Sequence, residues 1–219
     1  MDVALRLFLT EGYRATTIGR LLKEAGLSRG AFYHHFESKD EVMEAAVEVL
    51  GREGLEALEE EVRNAAGPVV GARRLLGAGP GWWPSSLSTL GHRLRALYRS
   101  DSAPLRERLA LRTRGHLLPL LAPVLEAGED EGVFRLPGSP VQVAEHFLLG
   151  RQALLDVQIA SLVGESDAPS PTLYDLVTRA DVFTGVAECS LGVEEGALGG
   201  ILRPMTVRLH RALGMPTGA

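Results

Sequence analysis

The sequence predicts an all-helical protein, and three features of its 219 residues support that prediction. Apolar residues recur at intervals of three and four, and one such set is Ile18, Leu21, Leu22 and Ala25. No long stretch alternates with the period of two that marks a half-buried strand. Breaks rich in glycine and proline divide the chain into segments of ordinary helix length, which predicts roughly nine or ten helices.

The length of the predicted helices changes near residue 45. Short helices with tight turns precede this point, and longer helices follow it. We therefore expect an N-terminal module over residues 1–45 and a larger helical body over residues 46–219. Within the body, Pro119 and Pro123 are expected to bend or split a helix, because proline cannot donate to the carbonyl four residues earlier.

Charge is unevenly distributed along the chain. The net charge of −5 excludes a polycation that coats nucleic acid nonspecifically. Residues 13–39, however, hold five basic and two acidic side chains, a net +3, which leaves −8 for the remainder. A local basic patch on an acidic protein is what attraction to phosphates requires.

Cysteine usage and hydropathy indicate a cytoplasmic protein. Cys189 is the single cysteine, so no internal disulfide can form, which fits a reducing compartment. Apolar runs are interrupted well before the roughly 20 residues that a membrane span needs, and no signal-peptide pattern opens the chain. We expect no membrane partner.

Residues 17–36 have the pattern of two short helices joined by a tight turn. Thr17 precedes a periodic run that ends at Gly26, which can supply a left-handed turn. Ser28 is a good cap for a second short helix. Phe32 and Phe36, four residues apart, point into a core and leave the other face of that helix outside. This is the pattern of a helix-turn-helix, in which the second helix enters a major groove of DNA.

The first 50 residues or so resemble the DNA-binding domain of the tetracycline-repressor (TetR) family. The segments that carry the resemblance are Phe8, Glu11-Gly12-Tyr13, Ala15-Thr16-Thr17-Ile18, Ala25-Gly26-Leu27-Ser28-Arg29-Gly30, Tyr33, His35-Phe36 and Ser38-Lys39-Asp40. The resemblance implies an N-terminal three-helix reader and a larger helical body that forms a homodimer and often binds a small molecule.

Carried over position by position, the resemblance also implies how the reader meets double-stranded DNA. It implies contacts with the DNA backbone from Thr17, Tyr33, His35 and Lys39. It implies contacts with base edges from Ser28, Arg29, Ala31 and His34. Gly30 and Ala31 are small enough to let the helix approach the bases.

The body contains two helical segments that predict a dimer interface. Residues 141–163 are apolar nearly all round, and residues 172–191 carry two apolar stripes, one for the protein's own core and one for a second subunit. The residues expected at the interface are Phe147, Leu155, Val182, Val186 and Cys189. A monomer with a wide core face is the alternative.

Candidate residues for an effector pocket are aromatic or polar groups within apolar surroundings. They are Trp82, Trp83, His92, Tyr98, His116, His146, Phe147 and Arg151. The two tryptophans can also be a plug over the core, and most of the polar groups can also be satisfied structural residues. The helix that begins near Lys39 runs through Met43, Val47 and Leu50 into the body, so it can couple a pocket to the reader.

These features predict a transcriptional regulator that is released from a palindromic operator by a small-molecule effector, with no cofactor and no metal. A DNA-binding protein without any ligand is one alternative, and an all-helical enzyme is another. We expect no enzyme, because Gly77-Ala78-Gly79 follows no strand and no serine or cysteine lies in a nucleophile motif. His34 and His35 are adjacent and Cys189 stands alone, so metal-ligand spacing is absent.

Overall fold

A computed structural model describes residues 2–52, 55–77, 86–163 and 170–213, with side chains described throughout except at 50–52, 55 and 57. Within these ranges the chain is helical and has no strand. The helices are α1 (Asp2–Thr10), α2 (Ile18–Ala25), α3 (Arg29–His35), α4 (Lys39–Arg52), α5 (Leu55–Arg63), α6 (Pro68–Gly77), α7 (Leu87–Leu97), α8 (Ala103–Asp130), α9 (Pro140–Val163), α10 (Leu173–Leu191) and α11 (Arg203–Ala212), with a 3₁₀ turn at Ser100–Ser102.

The all-helical prediction is confirmed, and the described ranges contain eleven α-helices, more than the sequence predicted. The additional helices are short ones, such as α5 and α11, whose apolar stripes are too brief to stand out as separate periodic runs.

The buried apolar residues of the first three helices are continuous with the core of the body. Leu7 and Phe8 of α1, Leu21 of α2 and Phe32 of α3 are buried. Phe8 packs against Tyr13, with ring centroids 5.4 Å apart. One face of α3 packs against this core, and its other face is exposed to solvent.

The body is built around the long helices α8 and α9, which pack against each other more extensively than any other pair. Buried leucines of α8 form the centre of this core, and they are Leu105, Leu109, Leu117, Leu121 and Leu125. Helix α6 covers one side of α8, whereas α7, α10 and α11 complete the remaining layers.

Helix α4, the packing of α1 against α7 and the turn after α1 all join the three-helix module to the body. Helix α4 packs against both α1 and α8. At the turn after α1, Gly12 has a φ of 89°, and its missing side chain leaves the space that the Asp101 carboxylate occupies. Any other residue at position 12 would combine an unfavourable backbone conformation with a steric clash.

Of the two effects expected of Pro119 and Pro123, splitting does not occur, because α8 continues through both of them as a helix of 28 residues. Both prolines are exposed. The carbonyls that lose a helical donor therefore lie on a solvated face, where water can replace the missing hydrogen bond.

Within the described ranges, no helix combines the length and the apolar content that crossing a membrane requires.

Candidate nucleic-acid interface and cavity

Helices α2 and α3 form a compact helix-turn-helix. The turn depends on Gly26, which adopts the left-handed conformation with φ 65° and ψ 29°. Leu27 N–H then donates to the Leu22 carbonyl at 3.0 Å, so the end of α2 is closed as in a Schellman motif. Thr17 and Ser28 cap the two helices, and the cap at Ser28 was predicted from the sequence. Their hydroxyls accept from Arg20 N–H and Ala31 N–H, each at 3.1 Å.

The outer face of α3 is exposed along its whole length. Phe32 is buried, and its ring lies 5.8 Å from that of Phe36, so this pair anchors the inner face. The exposed residues are Arg29, Gly30, Ala31, Tyr33, His34 and His35. They offer guanidinium, phenol and imidazole groups around a flat patch of glycine and alanine, which suits an approach to base edges.

The structure brings most of the predicted DNA contacts onto one surface. Ser28 lies at the N-terminus of α3 beside Arg29, and Thr17 lies at the N-terminus of α2. Both hydroxyls accept a capping hydrogen bond, which leaves the hydroxyl proton available to a phosphate oxygen. The N-termini of both helices add partial positive charge.

Lys39 lies against Tyr13 rather than projecting into solvent. Its ammonium donates to the Tyr13 carbonyl at 2.9 Å and lies 4.2 Å from the centroid of the Tyr13 ring. Partial burial lowers the pKa of Lys39 from its ordinary value. Tyr13 in turn donates to Asp40 at 2.5 Å, and burial raises the pKa of this phenol. These contacts hold the start of α4 on the reader.

The basic patch is smaller than a residue count suggests. Arg20 forms ion pairs with Glu11 and Glu24, both at 2.9 Å. Glu24 also binds Arg6 at 2.7 Å, and these two arginines keep the pKa of Glu24 low. The cations that remain exposed near α3 are Arg14, Lys23 and Arg29. Counting charges along the sequence missed this because a count does not show which basic side chains are paired with carboxylates.

A small cavity of about 30 Å³ lies in the body between α7, α8 and α9. Its lining is Leu97, Tyr98, Arg106, Leu109, Ala110, Thr113, Gln152, Leu155, Asp156 and Ile159. Tyr98 Oη donates to Asp156 Oδ1, and Gln152 Nε2 donates to the same oxygen at 3.1 Å. Burial raises the pKa of Tyr98. The cavity combines apolar walls with a polar corner, as ligand sites do, but it is far smaller than the roughly 300–1,000 Å³ of such sites.

Of the residues predicted to line a pocket, the structure places only Tyr98 in this cavity. His92 is exposed on a groove between α1 and α7. His116 lies on α8 and is absent from the cavity lining. Trp82 and Trp83 lie outside the described residues.

Two further predicted pocket residues serve other purposes. Arg151 is a buried core residue whose Nε donates to the Leu76 carbonyl at 2.9 Å, and burial lowers its pKa to about 10. His146 is exposed on a groove between α9 and α10, which Phe147 also lines. The sequence analysis missed four polar residues of the cavity lining, Arg106, Thr113, Gln152 and Asp156. Gln152 and Asp156 had no sequence signal beyond interrupting an apolar helix.

The groove between α9 and α10 belongs to an exposed apolar face. We name it the α9/α10 face and define it by Gly150, Ala153 and Val157 of α9 with Val182, Gly185, Val186 and Cys189 of α10. Val157, Val182, Val186 and Cys189 are exposed. Gly150 and Gly185 have no side chains that would keep a second helix away.

Two of the predicted interface residues are not exposed on this face. Phe147 and Leu155 are buried within the protomer, and Leu155 points toward the cavity. Their burial was not anticipated because α9 is apolar on several faces, so periodicity alone could not separate its inner from its outer side.

Comparison with known sequences gives a match in the N-terminal module. Residues 1–46 match the family model described as bacterial regulatory proteins, tetR family. The chain is 48% identical over 42 residues to the transcriptional regulator AcrR of Shigella flexneri, covering 19% of this chain and 20% of that protein. It is 41% identical over 44 residues to the transcriptional repressor KstR2 of Rhodococcus jostii, covering 20% and 22%. The aligned region thus spans about a fifth of these relatives.

Comparison with solved structures extends to the body. The chain superposes on the transcriptional regulator FadR of Bacillus subtilis, solved in complex with stearoyl-CoA, with a TM-score of 0.56 and 18% identity. That match covers 88% of this chain and 97% of FadR. A TetR-family structure from Mesorhizobium loti gives a TM-score of 0.52 at 19% identity, covering 86% and 92%. The whole described chain therefore shares the fold of these regulators.

Proposed function

We propose that this chain, whose first 46 residues match the family model of the tetR bacterial regulatory proteins, is a homodimeric, sequence-specific regulator of transcription. We propose further that a small molecule releases it from its operator. The observation that carries this proposal is the exposed outer face of α3, anchored by Phe32 and flanked by helix N-termini and exposed cations. Such a helix fits the major groove, with its N-terminal residues at base edges.

The proposal assigns dimerisation to the α9/α10 face. An apolar face of this kind on two helices is most simply covered by the same face of a second copy, which gives a four-helix interface around a two-fold axis. A two-fold dimer presents two α3 helices to half-sites that are related by a palindrome, about one turn of DNA or 34–36 Å apart.

The proposal assigns the effector to the cavity beside Tyr98 and Asp156. FadR of Bacillus subtilis binds stearoyl-CoA within the same fold, which supports a ligand-responsive body here. A cavity of about 30 Å³ holds no more than a water molecule or so, so an effector must enlarge it. A molecule that prefers the enlarged state lowers operator affinity, because it favours a conformation other than the one that binds the operator.

A binding-site selection with the purified protein and random duplex DNA tests the function. We expect a palindromic consensus with half-sites about one helical turn apart. Such a product would support DNA reading, dimerisation and half-site geometry together. Recovery of no preferred sequence at low salt would reject a sequence-specific regulator and favour the enzyme alternative.

Two substitutions are expected to separate specificity from general affinity. Arg29→Ala should alter which operator variants are preferred, because this exposed side chain at the start of α3 can reach base edges. Lys39→Ala should weaken binding to all variants alike and reduce the slope of log affinity against log salt by about one unit. Quantitative binding to an operator library measures both effects.

Arg63→Ala is the matched control for charge, because this exposed arginine lies on α5, outside the reader. It should leave affinity and preference unchanged. If Lys39→Ala changed operator preference while Arg29→Ala did not, the two roles would be reversed.

A further inference from the structure

Helix α8 lies between the cavity and α4, with a different face toward each. The residues of α8 that line the cavity are Arg106, Leu109, Ala110 and Thr113. Arg108 and Arg112 occupy the same two turns of α8. Because each residue advances about 100° around a helix, these two arginines point roughly 130° away from the cavity-lining residues, toward α4. Whatever fills the cavity therefore acts on the same stretch of helix that contacts α4.

Two parallel ion pairs join α8 to α4 at this height. Arg108 Nη1 binds Glu44 Oε1, and Arg112 Nη2 binds Glu48 Oε2. The partners are four residues apart on both helices, so the pairs lie one turn apart along each helix. Both pairs are about half exposed, with side-chain exposures of 48% and 48% for one pair and 45% and 32% for the other. Ion pairs as exposed as these contribute little to the free energy of unfolding, so a stabilising role alone does not account for them.

We propose that Arg108 and Arg112 are positioning residues that transmit occupation of the cavity to the DNA reader through Glu44 and Glu48. This inference rests on the function proposed above and specifies how that function is regulated. The four residues form a clasp, and we use that name for the two ion pairs together.

The direction of movement follows from packing. The core side of α8 is close-packed, with Leu105, Leu121 and Leu125 fully buried. Close-packed interiors are nearly incompressible, so an occupant larger than about 30 Å³ either extends through the open side of the cavity or displaces a wall. If α7 and α9 hold their places in the core, α8 moves toward α4.

The clasp lies close to the reader along α4. Glu44 is five residues from Lys39, or about 7.5 Å along the helix axis. Lys39 is bound to Tyr13 of the reader, so a shift or tilt of α4 is passed on to α2 and α3. Met43 and Val47 of α4 are also buried, and their apolar contacts are the competing route. Apolar contacts can slide, whereas an ion pair constrains the positions of its two ends.

Ala110→Leu provides a built-in occupant that needs no knowledge of the effector. It adds three carbon atoms to a cavity that has room for about one water molecule. We expect it to lower affinity for the selected operator about threefold to tenfold, within the range that two exposed ion pairs can transmit. In an Arg108→Gln/Arg112→Gln background, the same substitution should change operator affinity less than about twofold.

Controls separate transmission from damage. Ala127→Leu places the same side chain at an exposed position of α8 away from the cavity, and it should not alter operator affinity. Exchanging the charges, with Glu44→Arg and Glu48→Arg combined with Arg108→Glu and Arg112→Glu, should restore the response to Ala110→Leu. Thermal unfolding by circular dichroism verifies that every variant folds, and operator binding is measured at one fixed salt concentration.

A second readout does not require DNA. Spin labels at His35→Cys and Val141→Cys in a Cys189→Ser background, diluted with unlabelled protein, report the separation of reader and body. Ala110→Leu should shift this distance when the clasp is present and leave it unchanged in the double-glutamine background. A failed binding-site selection together with this shift would reject the proposed function but keep the clasp.

Two results would overturn the inference. A folded Ala110→Leu variant with wild-type operator affinity and an unshifted label distance would mean that the cavity is not coupled to the reader. An equal effect of Ala110→Leu with and without the clasp would assign transmission to other contacts between body and reader, such as those of Met43 and Val47 or of α7 with α1.

Discussion

Replacing Val186 with arginine is expected to convert the dimer into monomers and to weaken operator binding by about a hundredfold or more. Val186 is 56% exposed on the α9/α10 face. In a two-fold dimer each new arginine would be desolvated without a partner and would lie near its symmetry mate. Two linked readers bind a palindrome more tightly than one reader does, with an affinity typically higher by a factor of about 10²–10⁴. A monomer loses that gain in affinity.

Sedimentation velocity and operator titration measure the two effects of Val186→Arg. Val133→Arg is the matched control, because Val133 is also exposed but lies after the end of α8, away from the α9/α10 face. This control should remain dimeric with unchanged affinity. A Val186→Arg protein that still sediments as a dimer would show that the subunits associate through another surface.

Replacing Phe32 with alanine is expected to unfold the reader while the body stays folded. Phe32 is 4% exposed and lies at the centre of the module, 5.3 Å from the Tyr33 ring and 5.8 Å from the Phe36 ring. Truncating a buried phenylalanine costs about 3–5 kcal/mol, which is a large share of the stability of so small a module. Operator binding should be lost entirely.

Hydrogen exchange locates the effect of Phe32→Ala, with fast exchange expected over residues 2–36 and protection retained in α8 and α9. Sedimentation should still report a dimer. Tyr33→Ala is the control, because Tyr33 is 53% exposed on the same helix. It should cost at most about 1 kcal/mol of stability while still reducing DNA affinity. Protected exchange throughout the reader of Phe32→Ala would contradict the assigned role of this ring.

The helix-turn-helix could be predicted almost residue by residue because its determinants are local. The caps at Thr17 and Ser28 each reach a backbone N–H three residues ahead. Gly26 acts through its own backbone conformation. The inward direction of Phe32 and Phe36 follows from helical spacing. Interactions that span so few residues leave a readable pattern in the sequence.

The dimer interface on α9 and α10 stays a prediction, but the structure shows which of the residues assigned to it are exposed. Helix α10 carries separate stripes, so the exposure of Val182 and Val186 could be anticipated from spacing. Helix α9 is apolar on several faces, and Phe147 and Leu155 turn inward. A helix without a polar side gives no sequence indication of which apolar face meets its own core.

The sequence by itself determined the helical class, the reader and its caps, because those depend on residues within one or two turns of each other. Only the tertiary structure decided the cavity and the clasp, in which Tyr98 meets Asp156 across 58 positions and Glu44 meets Arg108 across 64. Polar and charged residues at such separations carry no period that links them. Their pairing is set by how α4, α7, α8 and α9 pack, and that packing is decided by the whole core at once.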